Sequence, residues 1–586
     1  MEVGNCMDDS RKPSSSGHSL LKGAAVLGIA AVISKLLGTL QKIPLQNMAG
    51  DGVFGIYNAV YPLYILILTI ATAGIPIAVS KFVSEQTVMG RPAEARRILK
   101  LASGVLTLTG LLCFIALYAG AGVIAGWMGV GQTEKAIRSV SFALLLVPVM
   151  AALRGYFQGI QNMIPTAVSQ VVEQLVRVAT MIGLLLYFIA LGMSEEWIAA
   201  GATFGSVAGA GAGLVVMLLY WWKRKEPALP AAGSGNPSSP EPAAAGDTVR
   251  SAVAGRMDDV GGQAARAREM PPEPALSLIR RFLRYALPIC LGSLVVPLLT
   301  LVDTFTMPRL LIYGGLDEAG SMYAFGLYNH GLPLVQLVSM IATSMSTALI
   351  PAIAAAKIRN EPEIIRVRSE LAIRFTWLVG LAASFGLAVT AVPLNIMFFK
   401  SAEGWEAMSL LAFTAAFSTV NIVTSSILQG LGAVKVPVIH LLIGVVLKIG
   451  FNLLLMPLWG IQGAAVAAVI AYGTASGLNY RYLRKNIGVR ITFRSGLFKP
   501  LLAVVCMCAG ILVLYLGLEL ALDYLAPGLS SRIRYSIIGL ATVAVGGLIY
   551  PLALLRTGAV SRSELAAVPS FGKKIEPWLV RIGLWK

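Results

Sequence analysis

The sequence predicts an all-α polytopic membrane protein with about fourteen membrane-spanning helices, and three observations support this. Of the 586 residues, 56% are hydrophobic and only 13% are charged, which is about half the charge of an average soluble domain. Apolar runs recur from Leu20 to Pro551, each with the roughly 20 residues that a helix needs to cross a bilayer. A long segment of the chain also occurs twice. Frequent Gly and Pro favour a helical bundle over a barrel.

The apolar runs and the loops between them define the predicted organisation. The spans are predicted to begin near residues 20, 54, 100, 138, 162, 198, 280, 322, 370, 406, 436, 461, 498 and 533. The first run is too long for the core of a signal peptide and is predicted to be a retained span. Residues 1–19 are predicted to be a cytoplasmic tail, residues 20–223 an N-lobe of spans one to six, and residues 224–275 a linker. Residues 276–485 are predicted to form a C-lobe of spans seven to twelve, residues 486–556 to form spans thirteen and fourteen, and residues 557–586 to be a second cytoplasmic tail. The linker, rich in Pro, Ala, Gly and Ser, is predicted to be disordered and cytoplasmic.

The repeated segment predicts how the two lobes are related. Phe54–Ser80 and Phe325–Pro351 align without a gap at an offset of 271, with 10 identities in 27 positions. Gln158-Gly159 recurs as Gln429-Gly430 at the same offset. An even number of predicted spans separates the copies, so both halves would insert in the same direction. Such a repeat is typical of transporters and predicts two parallel six-helix bundles around a central cavity, plus two extra C-terminal helices.

The distribution of Lys and Arg predicts the orientation. The net charge of +18 arises mainly in short loops between spans, which favours a membrane explanation over nucleic-acid binding. Three loops on one predicted side are rich in cations, whereas the loops around Ser194–Trp197 and Trp459–Gln462 have none. Cytoplasmic loops of membrane proteins carry an excess of Lys and Arg. The sequence therefore predicts a multi-pass membrane protein with both termini in the cytoplasm.

Polar side chains inside the spans are the candidates for binding, because a charge at the bilayer centre costs a few kcal/mol unless it faces a cavity or a partner. Cations outnumber carboxylates among them, which favours an anionic substrate, and a diphosphate headgroup is the obvious membrane anion. Glu173 and Asp303 are predicted to pair with the cations or to couple an ion. The predicted substrate-binding residues are Lys35, Lys42, Arg177, Arg309, Gln336, Lys448 and Asn452.

The chain has none of the local motifs that indicate an ordinary enzyme. It lacks a phosphate-binding Gly-rich loop with Lys-Ser/Thr, a His-Glu-x-x-His zinc motif and a Gly-x-Ser-x-Gly nucleophile motif. The histidines, among them His330 and His440, are isolated and are expected to be hydrogen-bonded rather than catalytic. The five cysteines are scattered, so packing is favoured over metal binding or disulfides. We expect no enzymatic activity, no metal and no cofactor, with a coupling cation left open.

Three motifs resemble a known family. They are the Ser-Lys-Leu-Leu-Gly of Ser34–Gly38, the Gly-x-Pro-x-Ala-Val-Ser-Lys of Gly74–Lys81, and the stretch Leu153–Gln174. The chain resembles the polysaccharide biosynthesis/export family, and within it the branch of stage V sporulation protein B and MurJ-like lipid II flippases, in the multidrug/oligosaccharidyl-lipid/polysaccharide exporter superfamily.

The resemblance implies a two-lobed bundle with a cationic cavity in a bacterial plasma membrane. It implies that the protein moves undecaprenyl-diphosphate-linked sugars from the cytoplasmic to the outer leaflet by alternating access. It also implies essential arginines in span one. Lys35 stands at the first matching position, and Gln41 stands at the second, with Lys42 beside it.

The main hypothesis is therefore a flippase whose partners are an undecaprenyl-diphosphate-linked glycan and membrane lipids, without nucleic acid. Two alternatives stay open. A cation-coupled multidrug exporter of the same superfamily would have central carboxylates that dominate. A non-transporting scaffold for cell-wall synthesis proteins would not need the deep charges.

Overall fold

The computed structural model describes residues 15–72, 74–223, 274–491 and 494–559, and this part of the chain consists of helices joined by short turns. Most of both predicted tails and of the predicted linker lies outside the described residues. The helices of the N-lobe are α1 (Ser15–Leu40), α2 (Lys42–Thr72), α3 (Ile75–Val88), α4 (Pro92–Ala119), α5 (Ala121–Met128), α6 (Glu134–Ser141), α7 (Ala143–Gly159), α8 (Ile164–Ala190) and α9 (Glu195–Lys223).

The rest of the described chain is also helical. Its helices are α10 (Ala275–Tyr313), α11 (Glu318–Tyr328), α12 (Gly331–Ile358), α13 (Pro362–Val389), α14 (Ala391–Phe399), α15 (Trp405–Ala412), α16 (Thr414–Gly430), α17 (Lys435–Ile487), α18 (Lys499–Leu525) and α19 (Ser531–Arg556). A short 3₁₀ turn precedes α6, and a π-helical turn precedes α18. The predicted all-α fold is confirmed for the part of the chain that the structure describes.

Eleven helical segments of the described chain are long and apolar enough to cross a membrane. Two of them, of 63 and 53 residues, are far longer than one crossing needs. They bend at Gly50 and Gly460, which have positive φ values of 80° and 53°. In α17, Gly444 lies against the backbone of Ala471, which requires this helix to double back at its bend. The polytopic class is confirmed, and the number of fourteen crossings stays a prediction.

The helix limits of the two lobes recur at the offset of the repeated segment. Helix α15 (Trp405–Ala412) begins and ends 271 residues after α6 (Glu134–Ser141). Helix α16 (Thr414–Gly430) likewise begins and ends 271 residues after α7 (Ala143–Gly159). The repeated segments themselves lie against each other. Gly55 contacts the backbone of α11 so closely that it has no room for a side chain, and Gly326 has the same relation to the backbone of Asp51.

The apolar cores show where the lobes meet. We call the end of the bundle that bears the Lys- and Arg-rich loops the cationic end, and the end with the bends at Gly50 and Gly460 the opposite end. One buried cluster joins both lobes towards the opposite end; it includes Phe54 and Tyr57 from α2 together with Phe325 and Phe399. Towards the cationic end there are two separate clusters, one of which combines N-lobe helices with the first turns of α10. The lobes are therefore sealed together at the opposite end.

Candidate functional site

One face of α1 and its continuation into α2 lies between the lobes. Lys35, Thr39 and Lys42 follow one another at intervals of four and three residues, which places them on the same side of the helix. The Thr39 hydroxyl is 3.5 Å from the amide oxygen of Gln336 on α12 of the C-lobe. On another side, α1 packs on α8 through Gly38 and Gln174. The structure thus brings three of the predicted binding residues, Lys35, Lys42 and Gln336, to one interlobe face.

Within the described residues, the two lysines of this face have no counter-charge. Lys35 is exposed, whereas Lys42 is buried, with 7% of its surface accessible. In the described chain, neither ammonium group has a hydrogen bond or an ion pair to the protein. A buried charge without a partner is costly. This face is therefore suited to an anion that supplies the missing negative charge.

A second group of charges lies inside the N-lobe, centred on Glu173 of α8. Its two carboxylate oxygens accept hydrogen bonds from Arg177, at 2.7 Å, and from Arg154, at 2.9 Å. Arg154 also donates to the hydroxyl of Ser169 at 2.6 Å, and Arg177 donates to the hydroxyl of Tyr61 at 3.3 Å. All three charged side chains are at most 15% exposed. We call Arg154, Glu173 and Arg177 the N-lobe cluster; its contacts tie α8 to α7 and to α2.

The C-lobe has a corresponding group around Asp303 of α10. The Lys448 ammonium donates to the Asp303 carboxylate at 2.7 Å and to the carbonyl of Leu299 at 2.9 Å. The Tyr328 hydroxyl donates at 3.1 Å to the same Asp303 oxygen, Oδ2, that accepts from Lys448. The Asn452 amide donates at 3.3 Å to the second oxygen, Oδ1. We call Asp303, Lys448 and Asn452 the C-lobe cluster. It ties α10 to α17.

Arg177 and Lys448 occupy positions 271 residues apart, and both already contact a carboxylate within their own lobe. Glu173 and Asp303, which the sequence predicts to pair with cations or to couple an ion, are the carboxylates concerned. Direct contact of Arg177, Lys448 and Asn452 with a substrate stays a prediction. The contacts seen here hold helices together instead.

Arg309 lies elsewhere, at the opposite end of the bundle. Its guanidinium donates to the carbonyl of Gly126 at 3.0 Å, and its side chain lies against Gly129. Nearby, the Glu318 carboxylate accepts a hydrogen bond from the backbone amide of Gly131 at 3.1 Å. These contacts join the C-lobe to the N-lobe. Contact of Arg309 with a substrate stays a prediction, and in the structure its guanidinium contacts the N-lobe backbone at Gly126.

Sequence reasoning missed two groups of residues. Arg154 lies within the motif Leu153–Gln174 but is absent from the predicted site, although a charge in the middle of an apolar run is the signal that identifies the other candidates. Asp51 and His330 form a buried pair between the lobes, with 2.6 Å between a carboxylate oxygen and Nε2. Asn395 contacts the other ring nitrogen at 2.8 Å. We call Asp51, His330 and Asn395 the interlobe latch.

The family profile described as "Polysaccharide biosynthesis protein" matches residues 20–232 and 266–357, more than half of the chain. The "Uncharacterized membrane protein YabM" of Bacillus subtilis is 31% identical over 564 residues, which cover 96% of this chain and 97% of that protein. The "Lipid II flippase MurJ" of the same organism is 28% identical, with 95% and 98% covered. "Stage V sporulation protein B", also from this organism, is 24% identical, with 95% and 99% covered.

The fold is similar to that of solved transporters. A structure titled "Lipid II flippase MurJ, inward closed conformation" matches with a TM-score of 0.61 and 14% identity, covering 90% of this chain and 98% of that one. An inward-facing multidrug resistance MATE family transporter of the MOP superfamily matches with a TM-score of 0.60 and 14% identity, covering 78% and 94%. At this identity the likeness concerns the fold. The sequence matches confirm the resemblance drawn from the three motifs: this chain is a multi-pass membrane protein that belongs to the polysaccharide biosynthesis protein family.

Proposed function

We propose that this protein is a flippase, without enzymatic activity, for a saccharide linked to undecaprenyl diphosphate. It would move this lipid from the inner to the outer leaflet of a bacterial plasma membrane by alternating access between its lobes. Two relatives that match nearly the whole chain are named as a lipid II flippase and a stage V sporulation protein. They support a lipid-linked cell-wall precursor, such as lipid II, as the substrate class.

The observation that carries the proposal is the interlobe face of Lys35 and Lys42. The separation of these lysines along the chain corresponds to about 10 Å along a helix. Their long, flexible stems allow both ammonium groups to approach one diphosphate from two sides. Charge-assisted hydrogen bonds to phosphate oxygens are among the strong ones in proteins. Gln336, across the gap, can add a donor from the C-lobe, so the bound anion would contact both lobes.

The position of the seal supports a substrate path that starts at the cationic end. The lobes share one apolar core towards the opposite end. Towards the cationic end, the first turns of α10 pack into the N-lobe core, and the other C-lobe helices there have a core of their own. By the positive-inside rule the cationic end faces the cytoplasm, with both termini on that side. The state seen here would then receive the lipid headgroup from the inner leaflet, while its outer end is closed.

Complementation tests the proposal. The chain is expressed in a bacterium whose only lipid II flippase can be depleted, and survival and lipid II accumulation are followed. We expect the wild-type chain to restore growth, and Lys35→Ala or Lys42→Ala to abolish rescue because the diphosphate loses an ammonium partner. Lys35→Arg should retain rescue, since the charge is kept.

The matched control is Arg484→Ala, which removes an exposed cation near the end of α17 at the cationic end and should leave rescue intact. If the lysine variants restore growth as well as Arg484→Ala does, with equal amounts in the membrane, the assignment of this face is wrong. Resistance to drugs on overexpression without rescue would instead favour multidrug export. Rescue that needs the loops but not the deep charges would favour a scaffold.

A further inference from the structure

The interlobe latch encloses an imidazole completely. His330 has no accessible surface, and its ring stacks on Phe399 with 4.1 Å between the ring centroids and 4° between the planes. Nε2 is 2.6 Å from a carboxylate oxygen of Asp51, and Nδ1 is 2.8 Å from the amide oxygen of Asn395. Gln46 donates to the same Asp51 oxygen at 3.0 Å. Asp51 and Gln46 belong to the N-lobe, whereas the other three residues belong to the C-lobe.

The orientation of the Asn395 amide follows from its second contact. Its nitrogen is 2.7 Å from the carbonyl oxygen of Glu403. A carbonyl can only accept, so the NH₂ group must face Glu403 and the amide oxygen must face His330. An amide oxygen is also only an acceptor. Nδ1 of His330 must therefore carry a hydrogen.

The same reasoning applies to the other ring nitrogen. At 2.6 Å, the contact between Nε2 and Asp51 needs one proton, which belongs either to the imidazole or to the carboxyl. The pair is then imidazolium with carboxylate, or neutral imidazole with carboxylic acid. In both forms it holds one proton more than a neutral imidazole beside a carboxylate. Without that proton, two acceptors would face each other in a buried site, which is unfavourable.

We infer that the interlobe latch is a proton-binding site, which holds one proton while the opposite end of the bundle is closed and releases it when that end opens. The inference rests on the alternating access of the proposed function. Because the two partners belong to different lobes, separation of the lobes at this end breaks the hydrogen bond between His330 and Asp51. Both groups then meet the solution on that side of the membrane.

Other ionisable groups surround the latch. The Glu195 carboxylate lies against Gly52, directly after Asp51 in the chain. Glu403 accepts a hydrogen bond from the Tyr323 hydroxyl at 2.8 Å, and the Lys400 ammonium donates to the carbonyl of Asn47 at 3.2 Å. The two carboxylates favour a bound proton, and the ammonium opposes it. Tyr323 and Lys400 donate to groups other than the imidazole of His330. The hydrogen bond between His330 and Asp51 is therefore the contact that requires the extra proton.

Linkage gives the direction of the pH effect. A state that binds one more proton is favoured as the pH falls, and the equilibrium changes by up to about tenfold per pH unit. A solvent-exposed histidine releases its proton only above about pH 6.5, so the open and closed states differ in bound protons above that pH. Acidification on the side of the opposite end should therefore close the gate, and alkalinisation should populate the open state.

Distance measurements between spin labels test this in the full-length protein, reconstituted in lipid nanodiscs. The labels are attached at Ser194→Cys in the N-lobe and Ala402→Cys in the C-lobe, both exposed at the opposite end. The five native cysteines, Cys6, Cys113, Cys290, Cys506 and Cys508, are replaced by alanine. Above about pH 6.5, we expect the ratio of the long-distance to the short-distance population to rise with pH by up to about tenfold per pH unit.

His330→Gln and Asp51→Asn should each flatten this pH dependence, because neither variant can hold the shared proton. His440→Gln is the matched control. His440 also contacts an asparagine, Asn479, at 2.7 Å, but within one lobe, so this variant should keep the wild-type slope. A ratio in the wild-type protein that does not change with pH overturns the inference, and so does a slope that persists in both latch variants.

The measurement needs no substrate, so its outcome is separable from that of complementation. A wild-type protein that restores growth but shows no pH slope would reject the latch and leave the flippase proposal standing. Failure of rescue with an intact slope would reject the flippase proposal and leave a proton-sensitive gate.

Discussion

The cations inside the lobes differ from those between the lobes. Inside, Arg154, Arg177 and Lys448 each contact a carboxylate at 2.7 to 2.9 Å. Between the lobes, Lys35 and Lys42 have no such partner in the described chain. Both kinds of cation lie in predicted spans, and sequence alone treats them alike. The difference teaches that a deep charge is not by itself a binding residue, because a charge with a partner holds helices together and a charge without one is available to a ligand.

The two kinds of charge should respond differently to mutation. Removing one partner from a buried ion pair leaves an uncompensated charge and destabilises a protein by about 3 to 5 kcal/mol. Removing a cation that has no partner relieves a cost instead. Stability and transport together therefore distinguish the two kinds of charge.

The largest loss of stability is expected for Glu173→Ala. This change removes the common partner of Arg154 and Arg177 and leaves two guanidinium groups facing each other inside the N-lobe. We expect a loss of unfolding free energy near the upper end of the range for buried pairs, about 5 kcal/mol. Thermal unfolding in detergent, read as a fall in the midpoint, measures it.

The control for Glu173→Ala is Glu363→Ala. Glu363 contacts Arg366 at 2.6 Å, as close as the buried pairs, but its side chain is 68% exposed. Exposed pairs contribute about 1 kcal/mol or less. Equal shifts of the unfolding midpoint in the two variants would show that the N-lobe cluster is not a buried structural unit.

Asp303→Ala is expected to have the next largest effect, a loss of about 3 to 4 kcal/mol. Lys448 then loses its carboxylate but keeps the carbonyl of Leu299, which lies 2.9 Å away. Adding Lys448→Met should restore most of the stability, because the double variant buries no charge at this position. If the double variant unfolds as early as Asp303→Ala alone, the destabilisation comes from packing rather than from the unpaired ammonium.

Much of the fold could be predicted from sequence because apolar length and the repeat are local properties. The all-α polytopic class needs only runs of about 20 apolar residues. The spacing of four residues between Glu173 and Arg177 is enough to place them on one face of one helix. The three motifs, of which Leu153–Gln174 is the longest, led to the correct family.

The partners of the charged residues could not be predicted, because they depend on contacts between helices. Lys448 and Asn452 are one helical turn apart, yet both contact Asp303, which lies more than 140 residues earlier in the chain. Asp51 and His330 meet only because the two lobes close on each other. Asp51 lies three residues before Phe54, the start of one copy of the Phe-Gly-x-Tyr-Asn motif, and His330 directly follows the other copy. Their closeness to the repeated motif is the signal that could have drawn attention to them.

The smallest effect on stability, and the sharpest test of the comparison, is expected for Lys42→Met. Methionine keeps the length of the apolar stem and removes a buried ammonium that has no partner in the described chain. Replacement of a buried charge by an apolar group of similar size is often neutral or stabilising, so the unfolding free energy should stay within about 1 kcal/mol of the wild-type value. Rescue of the flippase-depleted strain should nevertheless be lost, because the anion-binding face loses one of its two cations. A large loss of stability would place Lys42 with the paired charges inside the lobes, and retained rescue would remove it from the substrate site.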